Sequence, residues 1–95
     1  MTSIASIKMA ITPIAKQYGI SKVFLFGSYA KGKATEQSDV DLLISTKETG
    51  LRFYEMAERL RESLHKKVDL LDMKQLVNNE TLIHEMLRDG IKVYG

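Results

Sequence analysis

The sequence predicts an α/β (α+β) fold, a mixed β-sheet of about four short strands flanked by helices. Three observations carry that expectation. Helical and strand-like periodicities alternate at short intervals along the 95 residues, as they do where helices are layered on a sheet. Four short apolar runs, "KVFLF", "DVDLLIS", "KVDLLD" and "IKVY", have the length of strands rather than helices. No internal repeat, low-complexity segment or Pro/Ser-rich linker divides them, so residues 1–95 read as one small domain.

The elements follow in order. Ile4, Ile7, Ile11, Ile14 and Tyr18 recur at steps of three and four, so residues 3–18 read as a helix with Gly19 as its C-cap. Pro13 lies inside it and, lacking an amide hydrogen, is expected to kink or split it. Residues 22–26 read as a buried strand, and "SYAKGKA" as a short helical turn that breaks near Gly32. A second strand covers 39–45. A helix then runs from about Leu51 to His65, with Phe53, Met56, Ala57, Leu60 and Leu64 on one stripe. Residues 67–72 form a third strand. Leu82, Ile83, Met86 and Leu87 make the apolar face of a helix that Asn79 caps and Gly90 closes, before a last strand at 91–94.

An apolar share of 44% and a charged share of 27% are ordinary for a soluble globular protein. The chain has no cysteine, which excludes disulfides and thiolate metal sites. Its longest apolar runs fall far short of the ~20 residues that span a bilayer. "MTSIASIKMAITPIAKQYG" lacks the basic start and continuous apolar core of a signal peptide. A cytoplasmic protein without a membrane partner is the expectation. The net charge of +2 is unevenly spread. Residues 1–35 carry five lysines and no acid, whereas residues 36–95 carry nine basic and twelve acidic side chains. The basic part suits a polyanion such as a nucleotide, although charge alone equally describes a solvated surface.

Two aspartates interrupt an apolar strand. Asp39 and Asp41 bracket Val40, and strand alternation places both on one face, about 6.5–7 Å apart, with Val40 and Leu42 turned to the core. Carboxylates so placed repel each other when ionised, and a bound cation accounts for them best. Hard oxygen donors point to Mg²⁺ or Mn²⁺. A bare D-x-D is also what a solvent-facing strand looks like, so two further features matter. Gly27-Ser28 ends the preceding strand where the chain turns into a helix, and such a turn lets backbone and a hydroxyl approach phosphate oxygens. Asp69, flanked by Val68 and Leu70, supplies a third carboxylate if its strand lies beside the second. Asp72 faces the opposite way and reads as a strand-end or helix-capping acid ahead of Lys74.

Gly27-Ser28, ten residues, Asp39-Val40-Asp41 and a later strand aspartate together resemble the nucleotidyltransferase superfamily that includes DNA polymerase beta. The chain looks most like the minimal, MNT-type members, and the resemblance covers essentially its whole length. It implies that Asp39, Asp41 and Asp69 ligate two divalent ions, Mg²⁺ or Mn²⁺, and that Gly27 and Ser28 hold the phosphates of ATP. Relatives often carry an arginine after the Gly-Ser. This chain has Tyr29-Ala30-Lys31-Gly32 there, which leaves Lys31 or Lys33 as the phosphate contact, a point charge in place of a bidentate fork.

The resemblance further implies the antitoxin of a type VII HEPN/MNT toxin–antitoxin system. Such an antitoxin forms a hetero-oligomer with a HEPN-domain RNase toxin and transfers AMP to a toxin tyrosine, releasing pyrophosphate. Larger relatives grip their acceptors with extra domains, so the acceptor site here is expected to be open or completed by a partner. A non-catalytic antitoxin that acts by covering its partner is the alternative, with transfer to a small molecule a further one. A nucleic-acid acceptor is not expected, because residues 1–35 offer few exposed aromatics for stacking. His65 and His84 read as structural or solvated.

Overall fold

The computed structural model describes residues 3–95. The order of elements is α1 (Ile4–Tyr18), β1 (Lys22–Phe26), α2 (Gly27–Ala30), β2 (Val40–Ser45), α3 (Gly50–Leu64), β3 (Val68–Asp72), a 3₁₀ turn (Met73–Leu76), α4 (Glu80–Asp89) and β4 (Ile91–Tyr94). The strands form one mixed sheet in the order β3-β2-β1-β4. β1 pairs antiparallel with β2 and with β4, and β2 pairs parallel with β3. The expected α+β architecture and alternation of elements hold, with ends shifted by a residue. Asp39, expected inside the second strand, immediately precedes it.

α1 and α3 pack against each other and fill one face of the sheet. Ile7, Ile11, Leu25, Leu42, Met56 and Leu60 are fully buried there. Each such side chain stabilises the fold by about 1.5–3 kcal/mol relative to exposure. Ser3 caps α1, its hydroxyl accepting from the Ser6 amide, and left-handed Gly19 ends it (φ 65°). Pro13 does not split α1, which is continuous over 15 residues. Both Pro13 and Met9, whose carbonyl loses a partner, are exposed, so water replaces the missing donor. The buried stripe on the opposite side keeps the helix together.

The second face of the sheet is covered more thinly. The 3₁₀ turn packs on β2, and α4 packs on β1 and on the turn. Leu43 is fully buried on this face and Leu76 nearly so. α4 carries the expected apolar face and the expected cap, with the Asn79 side chain accepting from the Leu82 amide. None of its residues is fully buried, however, and Leu87 remains 37% exposed. Gly90 closes α4 in extended backbone, not in the left-handed region. Its lack of a side chain serves packing: a Cβ there would lie 2.7 Å from the Phe26 ring and from the Met86 carbonyl. No helix among the described residues is long and apolar enough to cross a membrane.

Candidate active site

The thinly covered face carries the acids. Phe26 of β1 stands opposite Asp41 of β2, and Asp41 stands opposite Asp69 of β3. One row across three strands therefore reads Phe26, Asp41, Asp69. The parallel register of β2 and β3 accounts for the pairing, since Val40 and Val68, one residue earlier on each strand, both point into the core. Asp69 is exposed and Asp41 half-buried. Asp39 lies just before the strand, and the Lys67 ammonium is 3.9 Å from its carboxylate. Both partners are largely solvated, so this pair adds little to stability.

Gly27 follows Phe26 directly and adopts φ 63°. A Cβ at this position would collide with Oδ2 of Asp41. Glycine is thus needed twice, for a left-handed conformation and for the approach of the carboxylate. Ser28 continues the single turn of α2, which buried Tyr29 anchors in the core. The backbone then folds back on itself: the Lys31 amide donates to the Gly27 carbonyl and the Lys33 amide to that of Ser28. Both lysine side chains are exposed on the same loop. From the far side, the Lys66 ammonium donates to the Glu36 carbonyl and lies 6.0 Å from the Tyr29 ring centre.

Burial raises the pKa of Asp41 above the ordinary carboxylate value. The charge of Asp69, a hydrogen bond between the two side chains and the charge of Asp39 push the same way. The three acids therefore concentrate negative charge beside Gly27, and a cation would relieve it. Among the described residues no group of three or more histidine, aspartate or glutamate side chains is arranged to hold a metal ion, so Asp39, Asp41 and Asp69 do not converge as a three-carboxylate site.

Asp72 belongs elsewhere. It is buried, 6% exposed, and accepts from the Lys74 amide at 2.9 Å while pairing with its ammonium at 3.0 Å. Lys74 also donates to the Thr46 and Glu48 carbonyls, tying the end of β2 to the 3₁₀ turn. His65 is the left-handed C-cap of α3 (φ 54°) and, like His84, is exposed. Both lie outside the row of acids.

A cleft of about 300 Å³ opens on Asp41 and Asp69, with Gly27, Phe26, Leu71 and Met86 among its walls. Nothing in the sequence assigns the last three to this site. Alternation in "VDLLD" does place Leu71 on the face of Asp69, but nothing local ties Met86 to β3. Lys67 comes beside Asp39 through the pairing of β3 with β2, which no local pattern specifies.

The profile of the polymerase beta nucleotidyltransferase domain matches residues 9–95. The chain belongs to that nucleotidyltransferase family. Protein adenylyltransferase MntA of Thermococcus cleftensis is 33% identical to this nucleotidyltransferase over 78 residues, covering 78% of this chain and 79% of the relative. A solved structure described as a minimal nucleotidyltransferase superposes with a TM-score of 0.78 at 28% identity, covering 95% of both chains. A toxin–antitoxin crystal structure with AMP-PNP shares the fold, with a TM-score of 0.75 at 23% identity over 93% of this chain and 73% of that one. The expected family, and an enzyme of the nucleotidyltransferase class, are therefore established.

Proposed function

We propose that this nucleotidyltransferase is the antitoxin of a HEPN/MNT pair and transfers AMP from ATP to a tyrosine of a HEPN-domain RNase toxin. The observation that carries the chemistry is the pairing of Asp41 with Asp69 across β2 and β3, beside a Gly27 that a side chain would close. The similarity to an MntA protein adenylyltransferase supports the acceptor class, and the shared fold of a toxin–antitoxin complex supports a protein partner in a hetero-oligomer.

The donor set fits Mg²⁺ or Mn²⁺: every candidate ligand is a carboxylate oxygen, and Asp41 is held where its own ionisation is disfavoured. Asp39, Asp41 and Asp69 would hold the ions. Held there, such ions would supply a lowered pKa for the acceptor hydroxyl and charge neutralisation for the departing pyrophosphate. The chain itself positions. Gly27 lets the Asp41 carboxylate close up against the turn, the Ser28 hydroxyl donates to a phosphate oxygen, and Lys31 or Lys33 adds positive charge. In this reading the domain needs no histidine or thiol.

The test is to incubate the protein with ATP, Mg²⁺ and the product of the neighbouring gene, and to read intact masses. Addition of AMP to the partner supports the reading. If Asp39→Ala protects cells from the partner as well as the wild type does, the protein acts by covering its partner and the enzymatic reading fails.

A further inference from the structure

One cation already stands among the acids. Val40 and Val68 are buried partners on β2 and β3, and the Val40 amide donates to the Lys67 carbonyl at 3.0 Å. The residues just before them, Asp39 and Lys67, therefore turn together to the acid face. There the ammonium comes within 3.9 Å of the carboxylate. Among the described residues no other lysine or arginine lies within ion-pair distance of Asp39, Asp41 or Asp69.

The two lysines at this junction are not equivalent. Lys66 is engaged elsewhere, its ammonium donating to the Glu36 carbonyl at 2.5 Å and lying over the Tyr29 ring. Lys67 is tied down through its backbone only, and its side chain is 72% exposed. An ion pair that solvated is weak, so the ammonium leaves Asp39 at little cost.

The pair also stands at the phosphate end of the site. β1 runs antiparallel to β2 with Phe26 opposite Asp41, so Gly27 and Ser28 leave the sheet toward the start of β2. Asp39 thus has the Gly27-Ser28 turn on its β1 side and Lys67 on its β3 side. A carboxylate oxygen that ligates a divalent ion repels a neighbouring ammonium from the same place, and the larger charge prevails. The displaced ammonium has three donors on a flexible four-carbon stem, and the phosphate chain at the turn is the concentrated anion beside it.

Building on the function proposed above, we propose that Lys67 is a nucleotide-binding residue that changes partners. It pairs with Asp39 in competition with divalent cations, and with the terminal phosphates of ATP once Asp39 is a metal ligand. Lys67 thereby adds a phosphate contact from β3, on the other side of Asp39 from Ser28, to whatever Lys31 or Lys33 contributes.

The exchange makes two binding effects of opposite sign. Removing a competitor should tighten metal binding, whereas removing a phosphate contact should weaken ATP binding. Calorimetry on the full chain would compare wild type with Lys67→Met, which keeps the stem and loses the charge, and with Lys67→Arg. Without nucleotide, Lys67→Met is expected to bind Mn²⁺ up to about fivefold more tightly than wild type. With Mg²⁺ present, its preference for ATP over AMP should fall roughly tenfold, because AMP lacks the terminal phosphates. Its AMP affinity itself should match the wild type, which shows that the variant is folded. Lys67→Arg should keep the wild-type preference, since it keeps the charge. If Lys67→Met discriminates ATP from AMP as well as the wild type does, or binds Mn²⁺ more weakly, the exchange is overturned. A Lys67→Arg that loses as much preference as Lys67→Met overturns it too. A wild type that itself shows no preference for ATP over AMP would overturn the nucleotide site proposed above along with this inference, so the two failures are distinguishable.

Discussion

A side chain on Gly27 and the carboxylate of Asp41 would need the same volume: a Cβ built on the glycine meets Oδ2 and stands 3.4 Å from Cγ. The Gly27-Ser28 turn and the acid row are thus fitted to one another. Gly27→Ala adds a clash to a left-handed strain, a combination expected to cost about 1–3 kcal/mol. Urea unfolding checks that loss, and an ATP titration should show binding gone. Wild-type stability with intact binding would mean that the close approach is incidental.

Asp41 makes stability depend on pH in a definite direction. Its pKa is raised on folding, so the folded state holds the proton more tightly than the unfolded chain. Ionisation therefore costs stability above the raised pKa, and the cost is relieved as pH falls through it. In EDTA, Asp41→Asn should melt higher than wild type at pH 8, with the gap closing toward acid. Mn²⁺ should raise the wild-type Tm at pH 8 and leave the variant unchanged, because only the wild type keeps the ligand.

Asp69 and Asp72 lie three residues apart and should separate cleanly. Asp72→Ala removes a buried cap of the 3₁₀ turn and an ion pair to Lys74. It should cost about 1–2 kcal/mol, in the range of lost capping residues, and leave Mn²⁺ binding intact. Asp69→Asn should do the reverse, with near-normal chemical denaturation and Mn²⁺ affinity reduced at least tenfold by calorimetry.

The Tyr18 hydroxyl is buried and finds no hydrogen-bond partner among the described residues, while the Arg52 guanidinium lies 4.7 Å from its ring centre. Tyr18→Phe removes the orphan oxygen and keeps the ring under Arg52. It should stabilise the protein by roughly 1 kcal/mol in urea denaturation, since an unpaired buried polar group costs at least that much.

Local pattern carried most of the fold. The isoleucine stripe of α1, the alternation around Asp41 and the Asn79 cap are visible within a few residues of each other. So was the choice of Asp69 over Asp72, because strand alternation alone turns one toward Asp41 and the other away. Pro13 misled: its disruptive tendency is local, whereas its solvent-facing position in α1 is set by packing. The walls of the cleft were out of reach for the same reason. Met86 lines the same cleft as Leu71 because Gly90 lets α4 sit on Phe26, a contact between parts of the chain 64 residues apart. Lys67 comes beside Asp39 only through the parallel pairing of β2 with β3.

We propose that the row built on Asp41 and Asp69 directs transfer of the α-phosphoryl group to a protein. The deciding experiment compares ATP labelled at the α- and γ-phosphorus, incubated with Mg²⁺, the product of the neighbouring gene and wild type, Asp41→Asn, Asp69→Asn or Asp72→Asn. Label from the α position alone should reach the partner with wild type and Asp72→Asn, and neither label with Asp41→Asn or Asp69→Asn. Transfer of the γ label, or undiminished α transfer by Asp41→Asn, would contradict it.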